Sequence, residues 1–600
     1  MSSTFWGHWL REVPASWTLP DVRLPTIAVL ALLGACQSAP TPAPKPTPKV
    51  PVLVQWPAGM SFVATVTRGL PDDPTWRALP VWWREALGQT ERFAPASTSL
   101  LDTQQLPRIE LSVQPRLSAL TATLHQGGER TVLSRGSYAA DSATPDLLAA
   151  IDHVAWCTRL ALGEAAKEPK AIAAITSANP KVVVAVQDAV LLVQTGGFAS
   201  SHRALRIARQ RDGGAPFVLD QLAYLELLRG DADSAERISR EALTYENRAS
   251  ATVQHRLART LLMARSARKP DEAEGFDRQL ATLATVARRE RPHDEEPVWS
   301  AALAHNFLGE FAAARPLLEK LRLRQPESPF VPYQLGWACL GVDDPKAAAE
   351  HLADAAVRLP APWVLLPRAI ALYECGRHGD LDSLLASVRQ EYSRGGRDSL
   401  THQVLRMQAA HAILTNDPNR ARKLLMEDLR WLQEHPMELS QRVGEFAETG
   451  ALLARMGSSQ DLPTLLAAVQ KQHAVTAIAD ASAFVAGMHQ VQTTGVRAEK
   501  LEQALSRDGD SPWAFLLAAF AHERNGEVGD MQTQLARASR LSDSPMTKAL
   551  LAKSLRAVGK MLEAERLHET MRRELVQLHL RRTCQHPLFG PELAYAFVLR

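Results

Sequence analysis

From Glu295 to Pro360 the chain reads EEPVWSAALAHNFLGEFAAARPLLEKLRLRQPESPFVPYQLGWACLGVDDPKAAAEHLADAAVRLP. Its apolar residues recur at helical spacing, with punctuation at Gly309, Pro326 and Asp343-Asp344. The same residue types return at one interval: Ala302 and Gly336, Ala314 and Ala348, and Pro326 and Pro360 are each 34 positions apart. A fixed interval of this kind is the mark of helix hairpins stacked into a solenoid. The recurring residues are small because the two helices of a hairpin approach closely there, and a bulky side chain would push their axes apart.

Moving outward, Ala189 and Ala223, and Ala208 and Ala242, keep the 34-residue interval, and Gly230-Asp231 makes the turn before Ala235. Near the C-terminus Ala552, Gly559 and Ala564 fit again. Between 363 and 510 the interval lengthens, with loops such as Arg394-Gly395-Gly396-Arg397, while helical segments at 398–415, 437–456 and 474–493 still alternate. The sequence predicts roughly ten or eleven pairs.

The set Ala302, Gly309, Phe311, Ala314, Leu318 and Pro326, followed by Leu335, Gly336, Ala348 and Pro360, resembles the tetratricopeptide repeat. One departure is that Val298 stands where the family has its leading Trp, and Trp299 comes one residue late. The resemblance implies a mainly α fold, a tetratricopeptide-like α-solenoid (a right-handed superhelix of helix pairs) over 167–580, with a tail at 581–600. It also implies that the first helix of each pair lines a concave surface. By that count Asp220, Tyr224, Trp299, Asn306, Tyr333 and Trp337 face a partner, and the aromatics among them suit a contact surface. The competing reading is that Trp299, Tyr333 and Trp337 pack against the adjacent first helix. The clamp by which some tetratricopeptide domains hold a terminal carboxylate is not recognisable.

At the other end, residues 24–35 read LPTIAVLALLGA and stop at Cys36-Gln37. A run of about a dozen residues is too short for a bilayer, which takes roughly 20, but it has the length of a signal-peptide core. Leu33-Gly34-Ala35-Cys36 resembles the lipobox of bacterial lipoproteins. That resemblance implies acylation of Cys36, cleavage before it, and a stable anchor built from several acyl chains. Gln37 is not the Asp that favours inner-membrane retention, so outer-membrane attachment on the periplasmic side is expected. Arg11 and Arg23 are offset by Glu12 and Asp21, unlike a short basic leader, which suggests a true start nearer Val22. Residues 37–51 carry prolines at 40, 42, 44, 46, 48 and 51 and read as a semi-rigid polyproline spacer. The segments are therefore 1–36 signal, 37–51 linker, 52–166 a small domain, then repeats and tail.

In 52–166 the texture changes. Ile109, Leu111 and Val113 alternate with polar residues, as do Leu120, Ala122 and Leu124, and Gly127-Gly128 makes a hairpin turn before Thr131-Val132-Leu133. Asp146 to Gly163 reads as a helix. Two or three strands and a helix predict a small α/β or α+β domain, loosely similar to periplasmic domains akin to the amino-terminal domain of TolB.

With 68 Lys plus Arg against 65 Asp plus Glu, the net charge is +3, which gives nucleic acid binding little electrostatic support. The sequence holds no HExxH, no CxxC, no phosphate loop and no GxSxG elbow. No catalytic residue, metal or cofactor is expected. His153 and His305 read as packed helix residues, and Asp343-Asp344 and Glu295-Glu296 as caps. Cys157, Cys339, Cys375 and Cys584 show no disulfide framework, although a Cys339–Cys375 bridge between adjacent pairs is conceivable. The expected function is a lipid-anchored scaffold or adaptor for protein or peptide partners in the bacterial cell envelope. The alternative is a regulatory or sensory protein whose 52–166 domain takes a ligand that the solenoid relays.

Overall fold

The computed structural model describes residues 52, 54, 63–66, 72–89, 107–114, 118–138, 144–164, 169–194, 197–292, 294–359, 362–394, 398–435, 443–456, 461–472, 476–494, 512–541 and 545–582. Cys36, the spacer, Pro360, Gly395-Gly396 and the tail from 583, with Cys584, lie outside the described residues.

Four strands form one sheet in the order β1 (Val63–Val66), β2 (Arg108–Gln114), β3 (Ala119–Gln126) and β4 (Glu129–Ser137), with β1 parallel to β2 and the rest antiparallel. Ile109, Leu111 and Val113 on β2 and Leu120, Ala122 and Leu124 on β3 point inward, as their alternation predicts. Gly127 and Gly128 make the β3–β4 turn at φ 58° and 87°, where a side chain is disfavoured. Two helices cover the sheet, α1 (Pro74–Leu87) and α2 (Thr144–Ala161). Neither β1 nor α1 is anticipated from the sequence, since β1 has only four residues and α1 carries Pro80.

Helix α1 starts at Asp73, whose carboxylate accepts from the Thr75 amide at 2.8 Å, and it buries Trp82 and Trp83 completely. Trp83 Nε1 donates to Ile109 O on β2 at 3.4 Å, while Trp82 Nε1 donates to Ser177 O at 3.2 Å, at the start of the helical array. One apolar cluster accordingly runs from the sheet through Val182, Ala189, Leu222 and Leu257, crossing the expected boundary at residue 166.

After the short α3 (Ile172–Ile175) the chain is a series of helix hairpins. They are α4 (Pro180–Gln194) with α5 (Phe198–Arg211), α6 (Pro216–Leu228) with α7 (Ala232–Leu243), α8 (Ala251–Arg268) with α9 (Ala273–Glu290), and α10 (Glu295–Phe307) with α11 (Phe311–Arg324). Next come α12 (Phe330–Gly341) with α13 (Pro345–Arg358), α14 (Pro362–Glu374) with α15 (His378–Arg394), and α16 (Asp398–Leu414) with α17 (Pro418–Glu434). The series continues with α18 (Val443–Arg455) and α19 (Leu462–Gln472), α20 (Thr476–Thr494), α21 (Pro512–Asn525) with α22 (Val528–Leu541), and α23 (Pro545–Ala557) with α24 (Met561–Arg582). Consecutive helices pack on one another, and the first helix of a pair also touches the first helix of the next, as α6 does α8 and α10 does α12. This is the tetratricopeptide-like solenoid, preceded by a four-stranded domain.

The residues of the 34-residue grid sit at the closest approaches. Ala189, Ala208, Ala223, Ala242, Ala302, Ala314, Ala348, Ala552 and Ala564 are all buried. A methyl added at Gly336 would lie 2.5 Å from Leu352 Cγ on α13, and one at Gly341 would enter the Phe311 ring on α11. The turns inside the pairs share a second device. In several the first helix ends on a left-handed residue, Gly309 at φ 75°, Asp343 at 63° and Asn416 at 57° among them. The next amide then reaches back five residues, as Glu310 N does to His305 O at 2.8 Å and Asp344 N to Cys339 O at 2.8 Å. Asp231, Asp344 and Asp417 each also cap the second helix.

The array closes on itself. α24 is paired with α23, yet it also packs against α8, α10 and α12, and its Met571 and Val576 are buried in the same apolar cluster as Val298, Ala302, Tyr333 and Trp337. Cys157, Cys339 and Cys375 are free thiols, the first two buried, and no Cys339–Cys375 bridge is present.

Candidate partner-binding groove

The first helices α6, α8, α10 and α12 lie side by side and carry all six residues expected to face a partner. What joins these helices is polar. Asp220 on α6, 1% exposed, accepts from Arg256 Nε on α8 at 2.7 Å, and Arg256 also lies 3.8 Å from Glu296 on α10. Glu296 is paired in turn with Arg259 on α8, whose guanidinium sits 5.8 Å over the Tyr224 ring. His255 on α8 shares a 2.8 Å hydrogen bond with Ser300 on α10. Asn306 on α10 donates to both O and Oε1 of Gln334 on α12 at 3.1 and 3.0 Å. Two carboxylates and two guanidiniums thus alternate across three helices, and they are the charges of an internal seam.

The seam sets the ionisation of its members. Burial pushes the Asp220 carboxyl above its ordinary range, against the pull of Arg256. Burial also acts to raise Glu296, but Arg259 and Arg256 together outweigh it and hold that carboxyl low. His255 is pushed down to about 4 by burial and by the Arg259 cation, so it is neutral at pH 7.

The six residues expected to face a partner are largely enclosed. Asp220, Asn306, Tyr333 and Trp337 are buried, while Tyr224 and Trp299 are half-buried. The rings of Tyr333 and Trp337 meet edge to face at 6.4 Å, and Tyr224 meets Phe330 in the same way at 6.4 Å. Neighbouring first helices meet each other directly, and α24 lies across α8, α10 and α12, so these side chains pack within the chain. Sequence reasoning missed two things, the Asp220–Arg256–Glu296–Arg259 ladder and the return of α24. The ladder had a signal, since Asp220, Arg256 and Glu296 stand near the starts of three successive first helices.

Two other features have structural explanations. His522, Glu527 and Asp530 bring ligand atoms within 4.8 Å of one another, the one such group among the described residues. His522 Nδ1 lies 2.6 Å from Glu527, and His305 lies 2.6 Å from Glu310 across the equivalent turn of another pair, so this is a clasp of the hairpin turn that recurs in the array. A cavity of about 160 Å³ lies among α18, α20, α21, α22 and α23, lined by Phe484, Met488, Leu516 and Met531. Its charged neighbours Arg455, Glu523 and Lys553 are paired with one another. His153 lies 3.6 Å from the Cys157 sulfur on α2.

No family model matches the chain, and no curated protein matches it in sequence. Among solved structures, a tetratricopeptide-repeat protein of Thermus thermophilus is 19% identical, covering 31% of this chain and 97% of its own at a TM-score of 0.26. Yeast Tom70 is 12% identical over 67% of this chain and 95% of its own, with a TM-score of 0.28. The human IFIT1 dimer with m7Gppp-AAAA is 13% identical over 66% and 90%, with a TM-score of 0.33. At such scores whole-chain superposition is loose, and the fold class stands on the hairpin pairing and the small-residue grid described above.

Proposed function

We propose that this chain is a lipid-anchored scaffold of the bacterial cell envelope that binds protein partners and performs no chemistry of its own. Cys36 carries the anchor, residues 37–51 hold the body off the periplasmic face of the outer membrane, and the solenoid does the binding. The observation that carries the binding role is that the surface formed by α8, α10 and α12 seats a helix, α24, in the structure itself. The anchor is supported by the Leu33-Gly34-Ala35-Cys36 motif alone. No helix among the described residues is long and apolar enough to cross a membrane. Balanced charge supports a protein partner over nucleic acid.

Metabolic labelling with a fatty acid tests the anchor: the native chain takes up label and fractionates with the outer membrane, and Cys36→Ser does neither. An unlabelled native chain overturns the anchored reading.

A second reading, a ligand sensor, has one observation in its favour. An open cleft beside β4 and α2 is lined by Arg135, Tyr138, Asp146 and His153, and the sheet shares its core with the first hairpins. Because that core is continuous, a ligand-dependent thermal shift should be sought on the full chain.

A further inference from the structure

The last hairpin differs from the others in what its second helix does. α11 and α13 have 14 residues each and pack one face between their own first helix and the next one. α24 has 22 residues and no hairpin after it among the described residues. The extra eight residues extend it by about 12 Å. Near its start Ala564 is buried while Met561 and Leu562 are 51% and 61% exposed. Further along, Met571 and Val576 are buried, and the cluster they join is the middle one, with Tyr333 and Trp337. The neighbouring pair α21–α22 has its core in a different cluster. The helix therefore bridges two parts of the array that lie more than 200 residues apart in the chain.

Two features make this contact exchangeable. The polar pairs Asp220–Arg256, Glu296–Arg259 and Asn306–Gln334 are made among α6, α8, α10 and α12 themselves, without a group from α24. Nine of the 22 residues of α24 are charged (Glu563, Glu565, Arg566, Glu569, Arg572, Arg573, Glu574, Arg581 and Arg582), five positive and four negative, so the segment is compatible with water when released.

We infer that the surface of α8, α10 and α12 is a binding site for an amphipathic helix, and that α24 is its intramolecular occupant. A partner helix with a narrow apolar stripe and mixed charge elsewhere binds by displacing α24, so the groove is closed until a competitor of that character arrives. This deepens the scaffold reading by naming the class of partner, and it does not depend on the anchor at Cys36.

The test uses the full chain and a synthetic peptide of residues 561–582 labelled for fluorescence anisotropy. Met571→Asp with Val576→Asp places two charges in the apolar contact and ejects α24. The peptide then binds this variant, and binds the native chain roughly tenfold or more weakly, the reduction that self-occupancy of about nine-tenths imposes. A peptide carrying the same two Asp residues binds neither. A second measurement needs no variant: excess native peptide speeds amide exchange in α24 of the native chain and leaves α23 unchanged. Absence of peptide binding to a variant with native circular dichroism overturns the site, and equal binding to both chains overturns the occupancy. Light scattering that finds the native chain dimeric, with α24 exchanged between copies, overturns intramolecular closure.

Discussion

Two seams run along this solenoid and they are built from opposite materials. Within a hairpin, Ala302, Ala314, Gly336 and Ala348 let helices meet through backbone and methyl groups, with no polar partner needed. Between successive first helices, Asp220, Arg256, Glu296, Arg259, His255, Ser300, Asn306 and Gln334 meet through ion pairs and hydrogen bonds. The apolar seam depends on volume, so it tolerates any pH and no added carbon. The polar seam depends on charge state, so it is sensitive to pH and to loss of one partner. The difference teaches that the close helix approaches and the contacts between first helices answer to different perturbations, volume in one and charge state in the other.

The contrast breaks most severely at Arg256. Its replacement by Met leaves Asp220 buried without its partner and costs about 3–5 kcal/mol at neutral pH, read from the urea midpoint of the transition monitored by amide exchange in α6 and α8. A loss below 1 kcal/mol would mean that the ladder is not what holds these helices together. The cost shrinks toward acid pH, as Asp220, already raised by burial, takes up a proton.

Histidine gives the next largest effect. His255 titrates near 4 in the folded chain against an ordinary 6.5. Because its folded pKa is depressed, its contribution is fully present above 6.5 and is lost as pH falls from there through about 4; it is on the order of 3 kcal/mol. His255→Gln should flatten the fall in stability over that window, measured by denaturation at a series of pH values. An unchanged pH slope would remove His255 from the seam's energetics.

The smallest effects sharpen the apolar side. Gly341→Ala forces a methyl into the Phe311 ring and costs about 1–3 kcal/mol, equally at pH 5 and pH 7. Gly275→Ala on α9 meets nothing within 4 Å and should stabilise the chain by about 0.5–1 kcal/mol through helix propensity. Thermal melts of the two variants therefore move in opposite directions, and a common direction would show that close approach does not decide these positions.

Much of the fold was legible before any coordinates. The 34-residue spacing of Ala302 and Gly336 named the hairpins, and the alternation of Ile109, Leu111 and Val113 named the inner face of a strand, because both are periodic consequences of backbone geometry acting on neighbours in sequence. β1 was not legible, since four residues carry too little alternation, and α1 was hidden by Pro80. The groove was half legible. Its helices could be counted, but the count could not choose between a partner-facing and an inward-packed Tyr333 and Trp337.

What the sequence determined by itself, then, is which residues turn, which are small and which face of each helix is apolar, all set by contacts between residues close in the chain. Only the tertiary structure decided that Asp220 meets Arg256, that Trp82 ties the sheet to Ser177, and that α24 returns to the middle of the array. The first joins neighbouring hairpins and the second joins the sheet domain to the start of the array, while the return of α24 depends on the curvature accumulated over many hairpins. Small rotations at every hairpin add up along the solenoid, and no local pattern records their sum.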